Sequence, residues 1–186
     1  MTQRDDARDA ARRHLNEDPT LSLGDLAARI GIARATLHRH FSTREALLTE
    51  IGSASLDSWE ESQQRSEQAA AIASGDPVRL RACIEEHLRD CVADAEEFGF
   101  ALTDHFLSHS PALVERATDL ETRDVAMYAA AQQAGVLRND LPAAWLSHAV
   151  WGLMIGSRNA LRAGDVARRP LEDIVISTFL DGVSAR

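Results

Sequence analysis

Three features of this sequence predict an all-α chain with a small N-terminal head and a larger helical body. Apolar side chains recur at i, i+3, i+4 and i+7 over most of its length, the spacing of one buried helical face. The runs are interrupted at Asp18-Pro19, Gly31, Ser74-Gly75-Asp76-Pro77, Ser110-Pro111 and Gly135 to Pro142, where glycine and proline stop helices. Charge also changes along the chain: the first 50 residues hold eight Arg and eight acids, whereas the remaining 136 hold 12 Arg and 21 acids, so the net charge of −9 belongs to the body.

Residues 4 to 16 form the first helix, with Ala7, Ala10, Ala11 and Leu15 facing inward in a thin apolar stripe. That stripe makes it the least stable part of the head. Asp18-Pro19 ends it, because the residue before proline avoids the helical region. Leu23, Leu26, Ala27 and Ile30 then line one face of a short helix that starts near Ser22, where Asp25 three places on completes a capping pair. Gly31 can take the left-handed conformation that closes a helix without a Cβ penalty, and Ile32 is placed to plug the angle with the next one. A second helix runs from about Ala33 to His40. Leu37 faces inward, which by 100° steps leaves Arg34, Thr36, His38, Arg39 and His40 on other faces. Ser42 and Glu45 make an S-x-x-E capping box, with Phe41 and Ala46 as a hydrophobic staple, so a third helix begins at Thr43.

No acid lies between Asp25 and Glu45, yet Arg29, Arg34, Arg39 and Arg44 fall there at five-residue intervals with His38 and His40 among them. Two helices joined by a glycine turn, the second presenting Arg, Thr and His outward, form a helix-turn-helix whose second helix can enter the major groove. Arg can read guanine O6 and N7, and Thr a base edge or thymine methyl. The alternative is an ordinary helical corner with a solvated basic face.

The string GIARATLHRHFSTREALL resembles the recognition segment of the TetR (tetracycline-repressor) family. Gly31, Thr36, Leu37, His40, Phe41, Glu45 and Leu47 match its pattern, and Arg44 keeps the charge of the usual Lys. Ala33 stands where the family has a Ser cap, and His38 where it has a phosphate-contacting Tyr. The resemblance covers about 28 residues. It implies that Arg34, Ala35, Thr36 and Arg39 face bases, and that His38, His40 and Arg44 contact phosphates. Ser22 joins this DNA-binding set from the start of the preceding helix.

The third helix is expected to continue from Thr43 to about Ala73 as a strut past Ile51, Leu56 and Trp59. Pro77 then opens a helix over roughly 78 to 94, followed by a short one near 96 to 108 and a long one over 111 to 134. Pro142 to Ala163 is apolar almost all round, and a helix without a polar face must be covered on both sides. The last helix, about 170 to 183, carries two apolar stripes: Leu171, Ile174, Val175 and Phe179, and separately Ile176, Leu180 and Val183. One core cannot use all that surface. Gly152 and Gly156 would let another helix approach, so helices 142 to 163 and 170 to 183 are the candidate subunit interface, the alternative being a buried hairpin in a monomer.

The organisation expected is a helix-turn-helix DNA-binding domain at 1–48 and a ligand-binding and dimerisation domain at 49–186. Helices of the body carry Trp59, His87, Phe98, Phe106, Tyr128 and Trp151, aromatics and polar groups of the kind an apolar ligand site uses, with His87 and Tyr128 as the polar contacts. Cys83, His87 and Cys91 share a helix face at i, i+4, i+8, with His105 and His109 on the next helix. That spacing could serve zinc or copper, but no C-x-x-C pair exists and Cys is commonly a buried hydrophobe, so no metal and no cofactor are assigned. The cysteines are too far apart along one helix to bridge. With no long uncharged apolar run and a charged N-terminus where a signal peptide would be apolar, a cytoplasmic protein without membrane contact is expected. No Ser-His-Asp arrangement, glycine-rich phosphate loop or paired apolar carboxylates point to catalysis.

The function expected is that of a homodimeric repressor. It would bind double-stranded DNA at an inverted-repeat operator and be released by a small apolar effector. The rivals are an effector-free architectural DNA-binding member and an all-α small-molecule-binding protein or enzyme.

Overall fold

The computed structural model describes residues 3–100 and 110–185. Among them lie α1 (Gln3–Glu17), α2 (Leu23–Ile30), α3 (Arg34–His40), α4 (Arg44–Arg65), α5 (Gln68–Ser74), α6 (Pro77–Glu97), α7 (Pro111–Gln133), α8 (Ala143–Ala163) and α9 (Leu171–Val183). The all-α expectation holds. None of these helices is long and apolar enough to cross a membrane. The chain divides into two compact units, one of Met1–Asp57 and Glu97–Glu115, the other of Ser58–Glu96 and Arg116–Arg186.

The first unit closes around Ala7, Ala11, Leu15, Leu26, Leu37, Phe41, Leu47 and Ile51, with Phe98 and Phe100 from the return segment in the same core. α2 starts as its sequence predicts. The Ser22 hydroxyl accepts from the Asp25 amide at 3.2 Å while the Asp25 carboxylate accepts from the Ser22 amide at 3.2 Å, satisfying two end donors reciprocally. Gly31 ends it at φ 82°, and the Ile32 amide reaches back to the Ala27 carbonyl at 3.0 Å, the six-to-one bond of a left-handed cap.

Ala33 takes the extended N-cap conformation before α3 but offers no capping side chain. Serine there would accept an end amide, so Ala33→Ser should stabilise the head by about 1 kcal/mol. A thermal melt that stays unchanged would show that this helix end is satisfied otherwise. One cap differs from expectation: α4 is capped by Thr43, whose hydroxyl accepts from the Ala46 amide at 3.1 Å, one residue beyond Ser42. This register places Arg44 in the first turn, where it can reach back to α2.

The expected strut to Ala73 is broken. α4 stops at Arg65, and Glu67 turns the chain with φ 48° before α5. No glycine or proline marks the spot; Gln63 and Gln68 on either side of it are both drawn to Asp124 on α7. A straight helix would swing one of these amides away. α6 also outlasts its expected end and runs to Glu97, so the short helix does not begin at 96; its remainder, 101–109, lies outside the described residues.

The second unit's core joins Leu80, Ile84, Leu88 and Val92 of α6 to Met127, Tyr128 and Ala131 of α7, Leu146 and Val150 of α8, and Val175, Phe179 and Leu180 of α9. The chain ends fasten the last connection: Arg138 donates to the Val183 carbonyl at 2.7 Å and Ala185 to that of Val136 at 3.2 Å. Part of the apolar surface of α8 and α9 stays uncovered in one chain. Trp145 is 57% exposed, Trp151 45% and Ile174 41%, and a β-carbon on Gly152 or Gly156 would meet nothing within 4 Å.

Candidate functional site

The basic residues of the head separate into those with internal partners and those facing water. Arg4 pairs with Glu50 and lies over the Phe41 ring, Arg8 pairs with Asp9, Arg12 with Glu97, and Arg29 with Asp18 at 3.8 Å. Arg44 donates from Nε to the Leu21 carbonyl at 3.1 Å and from Nη2 to that of Pro19. Its guanidinium therefore clamps the turn before α2, and with five donors it can hold both carbonyls and still present an N–H outward. On α3, by contrast, neither Arg34 nor Arg39 has a salt-bridge partner among the described residues. Arg34, Ala35, His38 and Arg39 are exposed, Thr36 and His40 half-buried, and Leu37 fully buried. Leu37 anchors the helix so that donors cover its outer side. The Arg34 guanidinium carbon lies 3.9 Å from where a β-carbon on Gly24 would sit, beside the Ser22 hydroxyl. Ser22 and Arg34, from different helices, thus share one small patch.

Asp25 and Asp18 hold this surface in place. The Ser22 hydroxyl and then the Ser22 amide keep the Asp25 carboxyl below its ordinary range, and the Thr20 hydroxyl and amide do the same for Asp18. A carboxyl depressed on folding stabilises above its unfolded pKa and loses that contribution as pH falls through the folded value. The head should therefore weaken below the ordinary aspartate range, and Asp25→Asn should flatten that acid limb of a stability-against-pH curve. An unchanged limb would assign the loss to other carboxylates.

Within the second unit lies a polar cluster centred on Asp124, 3% exposed. Its Oδ1 accepts from Gln63 Nε2 at 2.8 Å and Gln68 Nε2 at 2.9 Å, and its Oδ2 from Trp59 Nε1 at 2.8 Å. His87 Nε2 stands 3.6 Å from Oδ2 and 3.5 Å from Cys91 Sγ. Tyr128, one turn beyond Asp124, is fully buried and its ring meets His87 and Phe179 at 6.3 and 5.9 Å. Tyr128 Oη and Gln63 Oε1 have no hydrogen-bond partner among the described residues, a cost of about 1–3 kcal/mol for each such group. Burial, and then the charge of Asp124, push the Tyr128 hydroxyl well above its ordinary range, so it stays a neutral donor. Burial likewise raises Cys83 and Cys91. Cys83 lies against Met127 Sδ at 3.5 Å, and no group of three metal-ligating side chains gathers among the described residues.

Of the residues the sequence offers for an interior site, Trp59, His87 and Tyr128 converge here. Phe98 does not: it is buried in the first unit's core, under the Arg12 guanidinium at 4.7 Å. Arg12 and Asn16 both donate to the Glu97 carbonyl, which holds the chain there. Trp151 is half exposed on α8, and Phe106, His105 and His109 lie outside the described residues. The sequence pattern does not single out Asp124, Gln63 and Gln68. Its trace of them is a carboxylate inside the apolar stripe Leu120, Asp124, Met127, Ala131, since an acid at a buried position needs partners.

Residues 8–51, which span α1 to the start of α4, match the family described as bacterial regulatory proteins, tetR family. The matched segment is a TetR-type DNA-binding region. The chain is 26% identical over 178 residues to the HTH-type transcriptional repressor LfrR of Mycolicibacterium smegmatis, covering 94% of this chain and 87% of that protein. The structure of LfrR in complex with proflavine superposes with a TM-score of 0.66 at 23% identity, over 98% of this chain and 97% of that one. KstR2 of Mycobacterium tuberculosis, a ketosteroid transcriptional regulator, superposes with a TM-score of 0.76 at 15% identity, over 100% and 96%. The structural likenesses concern the fold. Within the matched residues, α2, Gly31 and α3 form the helix-turn-helix of a TetR-type DNA-binding transcriptional regulator.

Proposed function

We propose that this protein is a TetR-type homodimeric repressor that binds an inverted-repeat operator through α3 and leaves it when a small, largely apolar effector enters the second unit. The observation that carries the reading is the contrast within the head: Arg4, Arg8, Arg12 and Arg29 are paired with acids, whereas Arg34 and Arg39 on α3 face water among other donors. Such a face can neutralise phosphates and read bases. Arg34, Ala35, Thr36 and Arg39 take the base-facing role, and Ser22, His38, His40 and Arg44 the phosphate contacts. An acidic remainder confines DNA to this face.

Dimerisation through α8 and α9 is supported by the uncovered Trp145, Trp151 and Ile174, an apolar surface of the kind that marks interfaces. A twofold pair would set two α3 helices into successive major grooves. Effector sensing is supported by the buried cluster of Trp59, His87, Asp124 and Tyr128, and by the relative LfrR having been solved with proflavine. A ligand favouring one conformer would shift the population away from the operator-binding state by its differential affinity.

Sedimentation should give a mass near twice 20.4 kDa. A panel of hydrophobic small molecules should contain members that both raise the melting temperature by mass action and dissociate the operator complex. A panel that does neither, with operator binding intact, supports the effector-free architectural reading.

A further inference from the structure

The effector-sensing reading leaves open what chemistry the second unit selects, and the Asp124 cluster bears on it. Asp124 receives N–H donors from Trp59, Gln63 and Gln68, all neutral. The chain contains no Lys, and no arginine pairs with Asp124 among the described residues; the nearest cationic candidate, His87, stands at 3.6 Å and shares its Nε2 with Cys91 Sγ. Asp90 and Asp94 on α6 add further negative charge on the side of Cys91. Asp94 accepts from the Ser58 hydroxyl at 2.7 Å, and Asp90 from that of Ser62 at 2.6 Å and from half-exposed Arg65 at 3.0 Å. Three carboxylates, Asp90, Asp94 and Asp124, thus lie around α4, α6 and α7. Polar capacity is also unspent. Gln63 Oε1 belongs to a side chain bonded to Asp124, and Tyr128 Oη to one a turn away on the same face; neither has a partner among the described residues.

A protonated amine brings one positive charge and up to three N–H donors. It would complement a carboxylate, an amide oxygen and a phenol oxygen at once, and a charge-assisted bond in a buried setting is stronger than a neutral one. Tyr128 belongs to the same core as Ile84, Leu88, Met127 and Phe179, side chains that suit an apolar body. We propose that the effector is an organic cation, an apolar molecule with a protonated amine that meets Asp124, with Gln63 and Tyr128 as flanking partners. This rests on the effector-sensing reading and narrows its chemistry. A neutral ligand would leave the charge of Asp124 unmatched, and an anion would be repelled by all three carboxylates.

The test uses the full-length protein and three probes of one shape: 2-naphthylmethylamine, cationic at pH 7, neutral 2-naphthylmethanol, and anionic 2-naphthoate. Calorimetric titration and release of a fluorescent operator duplex are read for each. The amine should bind at least tenfold more tightly than the alcohol and release the operator, and the acid should be the weakest. Asp124→Asn should abolish the preference for the amine, while Tyr128→Phe should weaken the amine severalfold and keep the preference. If Asp124→Asn does not fold, the ranking on the wild-type protein decides. Equal or tighter action by the alcohol or the acid, or a preference that survives in a folded Asp124→Asn, overturns the inference and leaves effector sensing standing. If none of the three binds, the inference is overturned and the cluster is a structural knot; whether sensing itself survives is then read from the wider hydrophobic panel.

Discussion

Replacing Gly156 by Leu is expected to make each protomer more stable and the regulator far weaker on its operator. In a single chain a β-carbon at Gly156 meets nothing within 4 Å, so the position is open to a larger residue. Leu is also a better helix former than Gly by about 0.8–1 kcal/mol, so α8 itself gains. A partner's helix packed closely over Gly152 and Gly156 would be pushed away. The mass in sedimentation should fall toward 20.4 kDa, and a lone head would keep only one half-site. Because linking two heads multiplies affinity by about 100- to 10,000-fold, operator binding should drop by a factor in that range. Non-specific binding at low salt, which depends on phosphates alone, should change much less. Unchanged mass and operator affinity would move the interface off this face.

The second large effect is expected at Arg39. It is exposed on α3 without a salt-bridge partner among the described residues, so Arg39→Ala costs the fold little. If the guanidinium reads a guanine, its loss costs about 1–3 kcal/mol at each half-site and relaxes the preference at that base. Binding to a scrambled duplex should fall much less, measured at two salt concentrations. Arg44→Ala should behave differently. Its guanidinium holds the Leu21 and Pro19 carbonyls, so the substitution should lower the melting temperature of the head and weaken all duplexes alike. Equal losses on operator and scrambled DNA for Arg39→Ala would remove it from the base-reading role.

The head was legible because its signals are local. A hydroxyl three residues before a carboxylate at Ser22 and Asp25, a glycine after the last apolar position at Gly31, and a single inward Leu37 each act within one turn of helix. The break at Ser66 and Glu67 has no such signal. It is made by two glutamines reaching for a carboxylate some 60 positions away in sequence, a tertiary effect that outweighs the helical preference of the stretch. Phe98 misled for a related reason: its residue type suits a ligand pocket and a core equally, and the partner that decides between them, Arg12, lies on the first helix. Asp124 could have been found. Its position in the buried stripe of α7, beside Leu120, Met127 and Ala131, demands partners.

In the proposed complex α3 reads DNA sequence as one of a twofold pair. Selection of bound fragments from a random double-stranded pool by the full-length protein, repeated with Arg39→Ala, tests it most directly. Enrichment of one inverted repeat with half-sites about one helical turn apart is expected, with loss of preference at a symmetric pair of bases in the variant. A pool with no enriched motif, or with one unrelated to inverted symmetry and unaffected by Arg39→Ala, would contradict it.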